Sequence, residues 1–165
     1  MASNRLVKEY KESLKHRDAQ SSQPEIILFP TDESNLFLWN AHILGPPSTP
    51  YEGHYFTLKL TLTQSYPLSP PKVIFITKVC HPNVHFKTGE ICLDVLKDAW
   101  TPIWTLESIC RAIISLLDVP DASSPLNCDA GNLIRAGDMT GFNNLARMYT
   151  IEYASKTIPQ RTEKK

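Results

Sequence analysis

The stretch that decides the fold is YFTLKLTL, residues 55–62. Its even positions are all apolar, and its odd positions are polar apart from Tyr55. This period of two predicts an antiparallel strand with one buried face and one wet face. Three further strands, joined to it by short connections typical of a meander, are predicted at residues 26–29, 36–44 and 73–76. Pro30 is expected to end the first of them, because proline cannot donate to a ladder of hydrogen bonds.

Helices are predicted where apolar residues recur at helical spacing. The runs are residues 4–16, 106 to about 118, 129–136 and 141–156. Ser3 and Thr105 are the expected N-caps of the first two runs, and Gly137 separates the last two. The predicted class is α+β, a four-stranded antiparallel meander with an N-terminal helix and three later helices.

Length and composition limit the organisation and the class of the protein. A chain of 165 residues corresponds to one domain, which we expect to span residues 1–156, followed by a basic C-terminal tail at 157–165. Hydrophobic residues make up 42% and charged residues 21%, as in ordinary globular proteins and unlike disordered chains. The balance of 17 basic and 17 acidic residues argues against a nucleic-acid partner.

The charges are unevenly placed along this neutral chain. Residues 1–17 carry five basic side chains against two acidic ones, and residues 156–165 carry four against one. The ends are either solvated or form a docking face for an acidic protein. No stretch resembles a membrane span or an apolar signal core, so we expect a cytoplasmic protein without direct membrane insertion.

The four cysteines differ in the residues that flank them, and these neighbours predict different roles. None forms a C-x-x-C pair, so no metal site is expected, and a cytoplasmic compartment argues against disulfides. Cys80 and Cys110 are predicted to be packing residues, whereas Cys128 lies at a predicted helix start. Cys92 stands out because Gly89 lets the chain turn just before it and apolar residues flank it on both sides. Such a setting would hold a thiol at a fixed, partly exposed point.

An irregular, proline-rich segment surrounds this thiol. Ten of the 13 prolines lie between Pro46 and Pro125, and His81-Pro82-Asn83 precedes Cys92 by nine residues. An asparagine carboxamide can donate hydrogen bonds to a developing oxyanion, and a nearby thiol then suits acyl transfer through a thioester. The alternative, equally open on spacing alone, is that His81 and Asn83 merely tie the loop together.

A cysteine protease is the rival interpretation. It needs a histidine base near the thiol and a third group that orients that base. His81 and His85 are the candidates, but His81 precedes a proline in what reads as a structural turn, and no local protease signature is present. The chain also has no P-loop, so it is not expected to activate acyl groups with ATP itself.

Six motifs in register carry a family resemblance. They are PYEG at 50–53, YPLSPPKV at 66–73, HPN at 81–83, TGEICLD at 88–94, WTP at 100–102 and SPL at 124–126. With this order and spacing, the sequence resembles the ubiquitin-conjugating enzymes over nearly the whole chain. The resemblance implies a transferase with a cysteine thioester intermediate in residues 1–156.

The resemblance assigns roles to four residues at the predicted active site. Cys92 would accept ubiquitin as a thioester, Asn83 would stabilise the oxyanion, His81 would shape the turn, and Ser124 would hold the gate position before Pro-Leu. No cofactor is implied, because the upstream ubiquitin-activating enzyme uses the ATP.

The same resemblance implies partner surfaces. It places the binding surface for a RING ligase at Arg5, Lys8, Leu68, Pro102 and Ile103, and it places the docking of the activating enzyme on the basic first helix. Ubiquitin itself is the third implied partner.

Residues 131–139, GNLIRAGDM, carry a narrower resemblance. They are similar to the fungal peroxisomal ubiquitin-conjugating enzymes, a group of peroxins. That group has no membrane anchor and is held on the cytosolic face of the peroxisome by a membrane-anchored peroxin. There it acts with RING ligases to monoubiquitinate the cycling import receptor so that the receptor can be extracted. We therefore expect a peripheral peroxisomal location, with the tether bound to the helices around 129–156.

Two alternatives remain within the same family. The chain could be a general cytosolic ubiquitin-conjugating enzyme, or a non-catalytic binding module of the same fold. The presence of Cys92 argues against the module, because such variants lack the cysteine.

Overall fold

In the computed structural model, which describes residues 2–18 and 22–160, four antiparallel strands form one sheet in sequence order. They are β1 (Ile26–Asp32), β2 (Asn35–Leu44), β3 (Tyr55–Thr61) and β4 (Lys72–Phe75). The predicted meander is therefore confirmed. The register places Ala41 opposite Leu58 and Leu58 opposite Phe75, so three neighbouring strands bury residues at the same level.

The predicted helices are also confirmed, with small shifts at their ends. They are α1 (Ala2–Asp18), α2 (Leu106–Asp118), α3 (Cys128–Arg135) and α4 (Met139–Tyr153). The prediction of Ser3 as an N-cap is wrong, because Ser3 already lies inside α1. Thr105 caps α2 as predicted, and its side chain accepts a hydrogen bond from the Ser108 N–H. The predicted basic tail falls mostly on residues 161–165, outside the described residues.

The core lies between the sheet and the helices. The even positions of β3 and Leu62 are all buried, and α2 turns Leu106, Ile109 and Ile113 inward as expected. Burying each of these aliphatic side chains contributes roughly 1.5–3 kcal/mol. Leu116, predicted to be in the core, is only partly buried. Within the described ranges, no helix has the length and apolar character needed to cross a membrane.

Two predictions about the strands are wrong, because each outcome depends on other parts of the chain. β1 continues through Pro30, which pairs with Trp39, because β1 is at the edge of the sheet and an edge position tolerates a missing N–H. Tyr55 is buried rather than wet. Its backbone pairs with Ser155, beyond α4, and its hydroxyl donates to the Pro24 carbonyl at 2.9 Å.

Candidate functional site

The segment after β4 folds back on itself and carries Cys92 at one end. Val84 bridges to Ile91, and the Cys92 N–H donates to the Asn83 carbonyl at 2.9 Å. Gly89 makes the turn with a φ of +73°, and a Cβ there would lie 2.0 Å from the Phe75 carbonyl oxygen. Glycine is therefore required at this position for both its conformation and its close approach to β4. The predicted turn before Cys92 is confirmed.

The four cysteines, all within the described ranges, fall into two classes. Cys80 and Cys110 are buried, Cys92 is partly exposed, and Cys128 is exposed at the start of α3. Burial, assisted by the charge of Asp129, raises the pKa of Cys80 to about 11. Burial also raises the pKa of Cys110 to about 12. Because the thiolate is the nucleophile, the two buried thiols are inert at neutral pH.

This contrast predicts the alkylation pattern of the native protein. Iodoacetamide at about pH 8 should modify Cys92 and Cys128 and leave the two buried thiols free until denaturant is added, because their raised pKa values keep them protonated. Mass spectrometry of tryptic peptides measures this pattern. Rapid modification of Cys80 in the native protein would contradict the packing assigned to it.

His81 is the first candidate base, and its environment excludes that role. The ring is fully buried, Nε2 lies 2.8 Å from the Leu116 carbonyl, and Nδ1 lies 3.0 Å from the Asn83 N–H. Nε2 therefore donates and Nδ1 accepts, which is the neutral tautomer. Burial lowers the pKa of His81 to about 4, although the Leu116 carbonyl acts to raise it. With both nitrogens used, His81 has no site for a proton from a thiol.

His85, the second candidate base, belongs to the turn itself. Its Nδ1 accepts a hydrogen bond from the Thr88 N–H at 3.1 Å. Among the described residues, no carboxylate forms a hydrogen bond with either histidine that could orient its ring toward Cys92. The arrangement therefore lacks the relay that a cysteine protease needs.

Asn83 lies at the centre of the site and makes contacts in three directions. Its carbonyl holds Cys92, and its N–H donates to His81. Its carboxamide pairs with the backbone of Asp121, donating to the carbonyl at 2.7 Å and accepting from the N–H at 2.8 Å. The tying of the loop, one of the two predicted alternatives, is thus observed directly. One of the two N–H donors of the carboxamide is engaged in this pair, and a second exists for an oxyanion.

The loop after α2 is tied to the same turn at both of its ends. Asp121 pairs with Asn83, and the N–H groups of Leu126 and Asn127 both donate to the Pro82 carbonyl, at 2.8 and 3.1 Å. Ser124 is exposed between these two points. The loop that carries Ser124 is therefore bound to residues 82 and 83, and Asn83 also binds the backbone of Cys92.

A second group of predicted residues forms a separate surface. Leu68 is 76% exposed and Ile103 is 87% exposed, although both are large and apolar. The loops that carry them are joined, because the Trp100 indole N–H donates to the Pro67 carbonyl at 2.9 Å. We call this surface the docking surface and define it by Arg5, Lys8, Leu68, Pro102 and Ile103. Lys8 is exposed on α1, one turn from Arg5.

Arg5 is partly buried and supports the docking surface through hydrogen bonds. Its guanidinium donates to the carbonyls of Pro102 and Trp104 at 3.1 and 2.8 Å, and its Nε donates to Glu9 at 2.6 Å. The sequence reasoning did not single out Glu9, a buried carboxylate on α1. The signal was its spacing of three residues from Leu6, which puts it on the apolar face of the helix.

In the described part of the chain, no group of three or more His, Cys, Asp or Glu side chains could hold a metal ion. The site presents a thiol beside amide donors on a turn. That arrangement suits acyl transfer through a covalent thioester.

The chain is similar to known proteins over most of its length. Residues 5–150 match the family described as ubiquitin-conjugating enzyme. The protein PEROXIN-4 of Arabidopsis thaliana is 58% identical over 146 residues, which cover 88% of this chain and 90% of that protein. The ubiquitin-conjugating enzyme E2 pex4 of Dictyostelium discoideum is 56% identical over 149 residues, covering 90% of this chain and 97% of the relative.

Solved structures give the same picture. The crystal structure of the H. polymorpha ubiquitin-conjugating enzyme Pex4p, in complex with the soluble domain of Pex22p, superposes with a TM-score of 0.86 at 37% identity. The match covers 93% of this chain and 98% of that one. The fold and the order of its elements are therefore shared along nearly the whole length.

Proposed function

The chain belongs to the ubiquitin-conjugating enzyme family, and on that premise we propose that it carries ubiquitin on Cys92 and transfers it, with a RING ligase, to the cycling peroxisomal import receptor. The observation that carries this proposal is the position of Cys92. It is the partly exposed thiol whose backbone is held by Asn83, in the turn that also holds the gate loop.

The proposed chemistry has two steps that balance without a cofactor. The Cys92 thiolate attacks the carbonyl carbon of the thioester that joins ubiquitin to the activating enzyme, and the thiolate of that enzyme leaves. A substrate nucleophile then attacks the Cys92 thioester. An oxyanion forms and collapses, the C–S bond breaks, Cys92 leaves as a thiolate, and the proton of the attacking nucleophile passes to water. The ATP is consumed upstream by the activating enzyme, so this chain has no need of it.

The roles of the neighbouring residues follow from their contacts. We assign to Asn83 the oxyanion contact in the second step, and to His81 the support of Asn83 through its Nδ1. We assign to Ser124 the gate that an incoming nucleophile passes, and the bonds of its loop to residues 82 and 83 support this role. The docking surface is assigned to the RING ligase, and the exposed apolar side chains of Leu68 and Ile103 are the contacts such a partner would cover.

The peroxisomal role rests on the relatives and on the helices of the C-terminal half. Relatives at 58% and 56% identity carry the names PEROXIN-4 and pex4, and the H. polymorpha relative was solved with Pex22p. By analogy, we propose that a membrane-anchored peroxin holds this chain on the cytosolic face of the peroxisome. A general cytosolic ubiquitin-conjugating enzyme is the alternative.

The proposed tether binds the exposed face of α4. Met148 is 51% exposed and Ile151 is 59% exposed, and their spacing of three residues puts them on the same side of the helix. This face belongs to a different element from the loops of the docking surface. The enzyme could therefore be tethered while the docking surface stays free for the activating enzyme and the ligase.

A fluorescent fusion tests this location. The wild-type fusion should form peroxisomal puncta that disperse in cells lacking the membrane peroxin, and the monoubiquitinated form of the import receptor should fall in the same cells. A double variant, Met148→Asp with Ile151→Asp, should be diffuse, because two buried charges at an interface of about 1,600 Å² remove its apolar centre.

The control for this double variant is Ile76→Asp, which places one such charge on another exposed apolar side chain, directly after β4. It should keep the puncta. A diffuse wild-type fusion in every cell line would leave the general cytosolic enzyme as the function. Puncta formed by the double variant would move the tether to another surface.

A further inference from the structure

Glu9 is a buried charged group that the proposed mechanism leaves unused. It lies on α1 with its side chain only 4% exposed, and its hydrogen bonds join it to Arg5, Tyr66 and Leu106 rather than to Cys92 or Ser124. A buried carboxylate is costly unless its oxygens accept several hydrogen bonds or pair with a cation. Glu9 has both kinds of compensation, and its partners come from three different parts of the chain.

The partners of Glu9 are two side chains and one backbone group. Oε1 accepts from the Arg5 Nε and from the Tyr66 hydroxyl, both at 2.6 Å, and Oε2 accepts from the Leu106 N–H at 2.8 Å. Leu106 is the first residue of α2, where the Thr105 cap is already committed to Ser108. Glu9 therefore satisfies an N–H that would otherwise be unpaired, and its negative charge suits the helix N-terminus.

These bonds reach the two loops of the docking surface. Tyr66 begins the loop that presents Leu68, and its ring lies 6.0 Å from that of Trp100, which holds Pro67. Leu106 and Arg5 hold the other loop, because Arg5 donates to the carbonyls on either side of Ile103. The exposed apolar side chains of Leu68 and Ile103 are therefore set in relation to one another by groups that bond to Glu9.

We propose that Glu9 is the positioning residue of the docking surface. It fixes the spacing and orientation of the loops that carry Leu68 and Ile103, so that a RING partner meets both side chains at once. This inference rests on the proposed function of the surface as the ligase site. Preorganising the two loops lowers the ordering cost of binding, so the effect falls on partner affinity rather than on the chemistry at Cys92.

Glu9→Gln tests the proposal with little change in volume. The carboxamide has one oxygen in place of two, so in either orientation its NH₂ group faces a donor: Leu106, or Arg5 and Tyr66. We measure discharge of ubiquitin from Cys92 to free lysine across a titration of an isolated RING domain that accelerates the wild-type enzyme. The RING concentration for half-maximal acceleration should rise about tenfold, and the rate at saturating RING should change less than about twofold.

Two further variants separate positioning from simple destabilisation. Tyr66→Phe removes one of the bonds to Glu9 and should raise the half-maximal concentration by a smaller factor, about threefold. Glu12→Gln makes the same chemical change on α1, one turn away, and should match the wild type. Thermal unfolding of each variant confirms that the protein is folded at the assay temperature.

The outcomes of these experiments distinguish this inference from the proposed function on which it rests. An unchanged half-maximal concentration for Glu9→Gln, or an equal loss at every RING concentration, would overturn the positioning role and leave the ligase site intact. If no RING domain accelerates the wild-type enzyme, while charging on Cys92 is normal, the assignment of the docking surface itself is wrong.

Discussion

Cys92→Ala should form no ubiquitin adduct when it is incubated with activating enzyme, ATP and ubiquitin. In the proposed mechanism the Cys92 sulfur accepts the acyl group, and the two buried cysteines are protonated at neutral pH because their pKa values are raised to about 11 and about 12. A non-reducing gel measures the result. The expected effect is complete loss, the largest of any substitution in the chain.

Cys92→Ser and Cys128→Ser complete this experiment. The serine at position 92 should accept ubiquitin slowly as an oxyester that survives reductant, because a serine hydroxyl stays protonated at neutral pH and is then a poorer nucleophile than a thiolate. Cys128→Ser removes the other exposed thiol and should charge like the wild type, since Cys128 lies at the start of α3 and not in the turn of Asn83. Normal charging of Cys92→Ala would refute the proposed function.

Asn83→Ala should separate the two halves of the reaction. Removing one oxyanion donor commonly lowers a rate by about 10²–10³, and the loss should fall on discharge to free lysine. Charging should survive, because both the nucleophile and the leaving group in that step are thiolates. Single-turnover discharge of the charged enzyme, followed on a gel, gives the rate for each variant.

The contacts of Asn83 make a second variant necessary. Because its carboxamide also ties Asp121, alanine could slow the reaction by loosening the gate loop alone. Asn83→Asp keeps the oxygen that accepts from the Asp121 N–H, but it has no N–H for an oxyanion or for the Asp121 carbonyl. Amide hydrogen exchange at Asp121 therefore accompanies the rate measurement, and discharge as slow as that of the alanine variant with a protected Asp121 N–H would identify the oxyanion donor as the important group. Substantial recovery of the rate would instead show that Asn83 acts mainly through the loop.

Much of the architecture is predicted by local patterns in the sequence. The alternation in β3 set its buried face, and Thr105 followed by an apolar run defined α2 from Leu106 to Asp118 as predicted. These signals are reliable because periodicity and capping depend on residues within a turn or two. Pro30 shows their limit. A proline excludes a central strand but not an edge strand, and the position of β1 in the sheet depends on all four strands.

The site divides in the same way. The sequence motifs, through their family resemblance, were enough to nominate the thiol, the asparagine and the gate, and the fold bonds the backbone of Cys92 to Asn83 and the loop of Ser124 to residues 82 and 83. The sequence could not decide whether His81 acts as a base or only ties the loop together. The neutral state of His81 depends on its burial, and the Leu116 carbonyl, 35 residues away, fixes which ring nitrogen carries the proton.

By itself, the sequence determined the α+β class, the boundaries of most elements and the identity of the candidate nucleophile, because each is encoded by neighbouring residues. Only the tertiary structure decided that the Asn83 carboxamide forms hydrogen bonds with the Asp121 backbone, and that Glu9 joins α1 to both loops of the docking surface. The physical reason is that a buried polar group must find partners wherever the fold supplies them. Those partners lie 38, 57 and 97 residues away along the chain, beyond the reach of any local pattern.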